Sequence, residues 1–286
     1  MDTIRRYGRI TRQQIEDAWE RSALSDGSKL TRRTFCNHRA AAEDLFGVKI
    51  EVDPATFEYY INDEGTNRGS VTNWLLDSVT MNDVLVGARE ITDRIFVENV
   101  PSAREYLSTV IDALKEHHPV KFDYHPYTRS LPTRGLIIEP YFLKLFKQRW
   151  YMVGRVPAEG RIKTYALDRV KKAIVLPEKF EPDPDFDTEN YFKHSYGIVV
   201  NQNEPVKVVL RTTPKRAKYL RALPLHASQS ETVSDKYSLF TYNIRVSDDF
   251  VAELLSYGPD ITVVEPPELR AKVLSSLHDS LSNYNA

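Results

Sequence analysis

The chain has 286 residues, 41% of them hydrophobic and 28% charged, which suits two or three packed units and excludes a disordered or fibrous polypeptide. Its single cysteine, Cys36, excludes an intrachain disulfide and a thiolate zinc site, and no apolar run approaches the ~20 residues of a membrane span. The net charge of −1 conceals segregation, with +3 over residues 1–50, −8 over 51–117, +8 over 118–172 and −4 over 173–286. Basic modules attract anions and nucleic acid while acidic ones do not, so the alternation implies separate units with separate partners. The start, MDTIRRYGRI, lacks the apolar core of a signal peptide, and a cytoplasmic, membrane-free protein is expected.

Residues 10–22 place Ile10, Ile15, Ala18 and Trp19 near helical spacing behind Thr11, a suitable N-cap. After the break at 25–28, Thr31 can cap a second helix running to Phe46, with Gly47 as its left-handed terminator. On its wheel Phe35, Ala42, Leu45 and Phe46 share one side, and Arg33, Asn37, Ala40 and Asp44 face the other. VKIEVDPATFEYYI then alternates at period two on both sides of an Asp-Pro turn, which predicts a hairpin over about 48–61.

Helix, turn, helix and hairpin is the order of a winged helix-turn-helix, whose second helix enters the DNA major groove. Arg33 and Asn37 lie one turn apart and are the side-chain types that read guanine O6/N7 and adenine N6/N7 in bidentate fashion. Lys29, Thr31, Arg32 and Arg39 suit phosphates, with Thr34 and His38 on the same helix completing the expected DNA-binding set, although the wheel turns Arg39 toward the apolar side. A helical interaction module with a charged face is the alternative.

Residues 65–117 read as an acidic helical connector, with helices around 70–79 and 102–117, the latter started by Pro101-Ser102 and stopped by Pro119. From 120 the period changes to two: Val120, Phe122 and Tyr124, then Leu136 and Ile138, then Trp150 and Met152, then 164–170 and 173–176. Four or five short strands in this span predict a small antiparallel barrel. Residues 177–190 are proline-rich and acidic, a linker by composition. The remainder reads β-α-β-β-α-β with a trailing helix, the order of a ferredoxin-like sandwich, and Leu269, Val273, Leu274, Leu277 and Leu281 give that last helix one apolar face.

Catalytic motifs do not appear: there is no dinucleotide fingerprint, Gly-Lys-Ser/Thr loop, His-Glu-x-x-His or Gly-x-Ser-x-Gly. The series Asp183, Asp185, Asp187 has Thr188 and His194 where a calcium loop needs glycine and glutamate. No cofactor and no enzymatic activity are expected. Block 118–172 has four acids, too few for the clustered carboxylates of a metal-dependent nuclease.

The stretch RGLIIEPYFLKLFKQRWYMVG (134–154), followed by TYALDRVKKAIVL (164–176), resembles the WYL domain of bacterial transcriptional regulators, its Trp-Tyr-Leu run reading Trp150-Tyr151-Met152 here. The methionine conserves volume. LPLHASQSE and Gly258 with VVEPPELR look like the extension that follows WYL domains, and RTFCNHR (33–39) looks like the family's recognition helix. The family's winged helices have a full first helix, whereas only seven residues precede Gly8, as a truncated start would leave.

The resemblance implies an α+β multidomain chain: a winged helix-turn-helix over 1–62, a helical connector over 63–117, a small Sm-like antiparallel barrel over 118–180 and the ferredoxin-like extension over 200–286. It implies a ligand-responsive regulator, binding double-stranded DNA as a homodimer and taking an anionic nucleotide or oligonucleotide effector in the barrel. The family pattern places arginines at Arg134 and Arg169, with Tyr124 and the Trp150-Tyr151 pair beside them, and His125 and Tyr165 complete the expected ligand set. Guanidinium groups suit forked recognition of phosphate, and aromatic rings suit base stacking. Core packing of Trp150 and a local Asp168–Arg169 ion pair are the structural alternatives.

Overall fold

The structure is a computed structural model that describes residues 2–22, 25, 28–46, 48–62 and 104–285. It divides into two units, 1–98 and 99–286, each with its own core. The helix expected at 70–79 lies outside the described residues.

In the first unit, α1 (Asp2–Tyr7) leads through β1 (Ile10–Thr11) into α2 (Arg12–Glu20) and α3 (Arg32–Phe46), and then into the hairpin of β2 (Lys49–Val52) and β3 (Glu58–Asn62). The strands form an antiparallel sheet in the order β1-β3-β2. Thr11 closes a capping box with Gln14 at the start of α2, and Thr31 Oγ1 accepts from Thr34 N (3.2 Å) at the start of α3. The short stretch before Gly8 is a helix whose Ile4 is buried with Ile10 and Ile50, backed by Ile15, Tyr59 and Ile61. One wheel position departs from expectation: Leu45 is 73% exposed. It sits about 80° around the helix from buried Phe35, at the margin of the apolar stripe.

The second unit opens with α4 (Arg104–Glu116) and a five-stranded antiparallel sheet: β4 (Val120–Tyr124), β5 (Thr133–Phe146), β6 (Arg149–Val156), β7 (Arg161–Ala166) and β8 (Val170–Val175). The order is β7-β6-β5-β4-β8, with a 3₁₀ turn, Leu167–Arg169, between the last two in sequence. Register shifts in the β4/β5, β4/β8 and β5/β6 pairings let the 14-residue β5 pair first with β4 and then with β6, coiling the sheet around one core. Val110 and Ala113 of α4 are fully buried in that core with Val120, Phe122, Ile138 and Met152, so this helix packs on the sheet. Its acidic surface had read as connector, but its apolar face does the packing.

The C-terminal part runs β9 (Val206–Thr212), α5 (Pro214–Ala222), β10 (Ser230–Val233), β11 (Ser238–Ile244), α6 (Asp248–Ser256), β12 (Ile261–Glu265) and α7 (Pro267–Tyr284). Its antiparallel sheet has the order β10-β11-β9-β12, with Thr213 capping α5 and Ser247 capping α6. Val208, Leu210, Phe240, Tyr242, Phe250 and Leu269 fill its core. The apolar face of α7 is only partly used, since Leu274, Leu277 and Leu281 are 48%, 49% and 58% exposed. An 18-residue helix of about 27 Å outruns the five-residue β12 beneath it, about 17 Å long.

The segment expected as a linker is packed. Phe180 is buried, its amide donates to His117 O (2.9 Å), and its ring stacks on Tyr141 at 6.1 Å. Phe186 and Tyr191 meet Phe142 at 6.3 and 5.9 Å. Residues 177–200 form a strap over the outer side of β5, held by rings whose spacing follows no regular period.

Close packing of β5 on β6 generates a prediction. A Cβ on Gly154 would lie 2.1 Å from Glu139 O and 2.8 Å from Pro140 Cα, both fixed backbone atoms. Gly154→Ala is expected to cost about 3 kcal/mol of stability, seen as a lowered thermal midpoint, because neither strand can move without breaking its ladder.

Candidate functional site

Two surfaces hold the residues singled out from the sequence. On α3, Arg32, Arg33 and Asn37 are exposed, as are Lys29 and Thr31 just before it. The cap at Thr31 sets the first turn, so Arg33 and Asn37 project from the same side one turn apart. His38 is exposed, but its ring lies 5.2 Å from that of Trp19, whose Nε1 donates to Ser28 O at 2.9 Å. Arg39 and Thr34 have local duties. Arg39 Nε donates to Glu43 (3.2 Å), whose carboxylate also accepts the amide of Ile50 (2.8 Å) and ties α3 to β2, while the Thr34 hydroxyl meets that of Thr31 at 2.8 Å.

The hairpin beside α3 is acidic. Asp53 accepts from Ala55 N (2.9 Å) at its tip and pairs with Arg9 at 2.6 Å, and these bonds hold its carboxyl below the usual range. Phe57 next to it has φ 56 and is 72% exposed. Cys36 is also exposed on α3, a placement that the sequence pattern did not single out.

In the coiled sheet, Arg169 lies over the ring of Tyr127 (4.1 Å), its carbonyl accepts from His125 N (2.9 Å), and its buried Nε has no hydrogen-bond partner. The neighbouring acid does not pair with it. Asp168, whose side chain is 5% exposed, instead meets Arg149 Nη1 at 3.5 Å. Consecutive side chains leave a turn in different directions, which is why adjacency in sequence was a poor guide. Neither Asp168 oxygen has a hydrogen bond.

Arg134 is exposed in a different setting. It lies near Asp123, which accepts from Gly135 N (2.9 Å) and meets Lys172 at 3.5 Å, and it helps line a shallow depression formed by residues 129–134. The aromatic expectations divide. Tyr124 and Tyr165 meet edge to face at 4.9 Å in the core, where burial pushes the Tyr165 hydroxyl up to about 12. Trp150 and Tyr151 alternate across β6, Trp150 packing on the core with Met152 and Tyr151 facing away from it. The pair therefore offers no single stacking platform. Tyr151 is 7% exposed, and its hydroxyl is pushed up by burial amid the charges of Arg149, Asp168, Arg169 and Asp249. Arg149, Asp168 and Tyr127 are site residues that the sequence reading did not select, the only available signal being the position of Arg149 directly after a turn in a basic block.

That turn also meets the C-terminal part. Lys147 and Gln148 have φ of 46 and 62, the pattern of a tight two-residue hairpin. Phe146 meets Tyr196 at 5.8 Å, and Lys147 Nζ reaches Glu253 at 2.6 Å. Tyr257 donates to the same carboxylate at 2.6 Å. Burial raises the Glu253 pKa, but hydrogen bonds from Lys147, Tyr257 and Tyr196 outweigh it and hold the group below the ordinary value. Next along β5, the Lys144 ammonium donates to Gly197 O (2.6 Å) and sits 3.7 Å above the ring of Phe192, with burial lowering its pKa to about 8.

These two groups predict slopes of the same sign in separate pH windows, stability rising with pH in each. Glu253 has a depressed folded pKa, so its stabilisation is present above the unfolded value near 4.5 and is lost as pH falls through the folded one. In acid titration followed by thermal unfolding, Glu253→Gln should lose stability less steeply than the wild type below pH 4.5. Lys144 binds its proton more weakly when folded, so the unfolded chain holds the extra proton between about 8 and 10.5. Stability of the wild type should therefore rise relative to Lys144→Met across that window.

A WYL domain matches residues 105–175 and a WCX domain matches residues 204–281. Among solved structures, the proteasome accessory factor B/C (PafBC) of Arthrobacter aurescens aligns with 97% of this chain and 44% of its own, at 22% identity and a TM-score of 0.36. A CRISPR Cas-related protein aligns with 64% of this chain and 51% of its own, at 13% identity and a TM-score of 0.25. The chain thus spans less than half the length of the PafBC chain. No curated protein sequence matches it. Among the described residues, no helix is long and apolar enough to cross a membrane.

Proposed function

The chain carries a WYL domain followed by a WCX domain, and on that footing we propose that it is a DNA-binding transcriptional regulator whose barrel takes an anionic effector. The observation that carries the DNA reading is α3, which presents Arg33 and Asn37 to solvent behind a capped first turn while Phe35 anchors its other side. Residues 1–62 are the winged helix-turn-helix in this reading, supported by the helix pair followed by a hairpin. Residues 63–117 connect it to an Sm-like barrel at 118–180, and 200–286 form the ferredoxin-like extension. The strand orders β7-β6-β5-β4-β8 and β10-β11-β9-β12 support these assignments. The protein works in the cytoplasm as a homodimer on a two-fold operator, the arrangement that closed symmetry favours.

Arg33 and Asn37 read bases, and Lys29, Thr31 and Arg32 hold phosphates. The acidic hairpin makes α3 the principal contact, since Asp53 and Glu58 oppose approach to phosphate. In the barrel, Arg134 and Arg169 recognise a phosphorylated effector, a nucleotide or an oligonucleotide, with Tyr127 and Tyr151 beside the cations. The same acidic hairpin favours a second reading, a sensor that binds nucleotide or single-stranded nucleic acid through the barrel without operator binding.

Gel shifts at fixed salt, with an operator selected from genomic fragments, separate the two readings. Arg33→Ala and Asn37→Ala should each remove about 1–3 kcal/mol of base discrimination with the fold intact. Lys29→Ala should weaken all sequences alike and shallow the salt slope by about one unit. Unchanged sequence preference in both helix variants would leave the sensor reading standing. In the barrel, Arg134→Ala and Arg169→Ala should abolish the effector response and retain DNA binding. The factor by which the effector changes operator affinity must equal the factor by which operator changes effector affinity, and a factor of one in both titrations would show that the two sites are not linked.

A further inference from the structure

Four acids occupy the basic block 118–172, and three of them have committed partners. Glu139 takes Arg155 at 2.6 Å, Glu159 takes Lys163 at 2.5 Å, and Asp123 takes Lys172 while accepting the amide of Gly135. Asp168 is different. Its side chain is 5% exposed, and among the described residues neither carboxylate oxygen has a hydrogen bond and its one ion pair is the 3.5 Å approach of Arg149. A charge-assisted guanidinium–carboxylate bond closes to about 2.7–2.9 Å and is often bidentate. Arg221 and Glu231 in the C-terminal part make such a pair, with two bonds of 2.7 Å.

A carboxylate with these properties bears the desolvation penalty of burial without the hydrogen bonds that normally offset it. It is a poor brace for Arg149, because a brace would engage the planar fork. The surroundings say what it does instead. Arg149 keeps 35% of its side chain exposed, and Arg169, which follows Asp168 in the same 3₁₀ turn, holds a buried Nε with no partner. One arginine thus meets a loosely held internal anion, and a second with an unused donor follows that anion in the chain.

Resting on the effector reading above, we propose that Arg149 and Arg169 together grip a phosphate group of the effector, and that Asp168 is the internal counter-anion which this phosphate displaces from Arg149. The guanidinium of Arg149 offers donors that Asp168 does not use, and a phosphoryl group with its several acceptor oxygens can engage both forks where the single carboxylate engages neither. Asp168 offsets the charge of the two cations before the effector binds and yields because its own pairing is long.

This assignment requires substitutions of opposite sign. The full chain is titrated calorimetrically at low salt with inorganic phosphate, thymidine monophosphate and a short oligothymidylate, with thermal unfolding of each variant confirming that it is folded. Arg149→Ala should weaken binding of whichever probes the wild type binds about tenfold or more, with Arg149→Lys recovering little of the loss, as expected when a charge-assisted fork is removed. Asp168→Asn, which keeps the shape and deletes the competing charge, should tighten binding about tenfold. A gain of affinity cannot arise from partial unfolding. Weaker or unchanged binding in Asp168→Asn, or unchanged binding in Arg149→Ala, overturns the displacement while leaving the effector reading in place, provided that Arg169→Ala still weakens the wild-type complex. Absence of binding of all three probes to the folded wild type overturns both. The probe that binds tightest identifies the source of the phosphate.

Discussion

The β5–β6 hairpin tip is the contact on which the larger unit depends. Its ammonium, Lys147, is 61% exposed, but the carboxylate it reaches, Glu253, is 15% exposed and also takes hydroxyl hydrogens from two tyrosines. The pair is therefore asymmetric. Removing the lysine would leave a charge already withdrawn from water, a costly state, whereas removing the carboxylate frees a lysine that is mostly solvated. Phe146 adds an apolar element beside the ionic one: it packs so closely on Gly197 that a Cβ there would come within 3.0 Å of its ring. The φ of 75 at Gly197 also suits glycine, so the chain conformation and the ring contact impose the same residue. The basic five-stranded sheet and the acidic C-terminal part are joined where a cation from the first reaches a carboxylate of the second.

The strap over residues 177–200 completes that junction by a different means. Lys144 has no carboxylate partner among the described residues. It is satisfied by the carbonyl of Gly197 and the face of Phe192, both contributed by the strap. A buried ammonium held only by a dipole and a ring quadrupole is weakly bound to its proton, which is why its pKa falls to about 8. The strap's aromatic residues cover β5, and its acidic residues remain on the outside, so composition described the outside alone.

Regular patterns were legible from sequence, and contacts between elements were not. Alternation at Val120, Phe122 and Tyr124, and at Trp150 and Met152, identified strands because one face of each is buried. The same alternation rule separates Trp150 from Tyr151, so a motif that is contiguous in sequence is split across the sheet. The caps at Thr11 and Thr31 were readable because capping is local. Leu45 and the outer leucines of α7 were misplaced because a helical wheel shows direction without showing how far the opposing surface extends. The strap had no period to read. Beyond its place after a turn, Arg149 gave no local sign of its role, since its partner comes from the 3₁₀ turn that follows β7.

Charge counting along the chain gains meaning once the pairs are known. The four acids of block 118–172 are each taken by one cation, and Lys147 is taken by Glu253 from outside the block. Lys121, Arg129, Arg134, Arg161, Arg169 and Lys171 have no carboxylate partner among the described residues. Apart from Arg169 these side chains are exposed, so their field extends into solvent and raises the local concentration of anions. Dispersed lysines would produce the same long-range attraction but no geometry. Selectivity for one anion requires a place where two planar donors converge and where water has been partly removed. Among the described residues of the block, Arg149 meets the buried Asp168 carboxylate at 3.5 Å, and Arg169 beside it in the chain has a buried Nε without a partner, so the removal from water is present there and an internal carboxylate holds the place loosely.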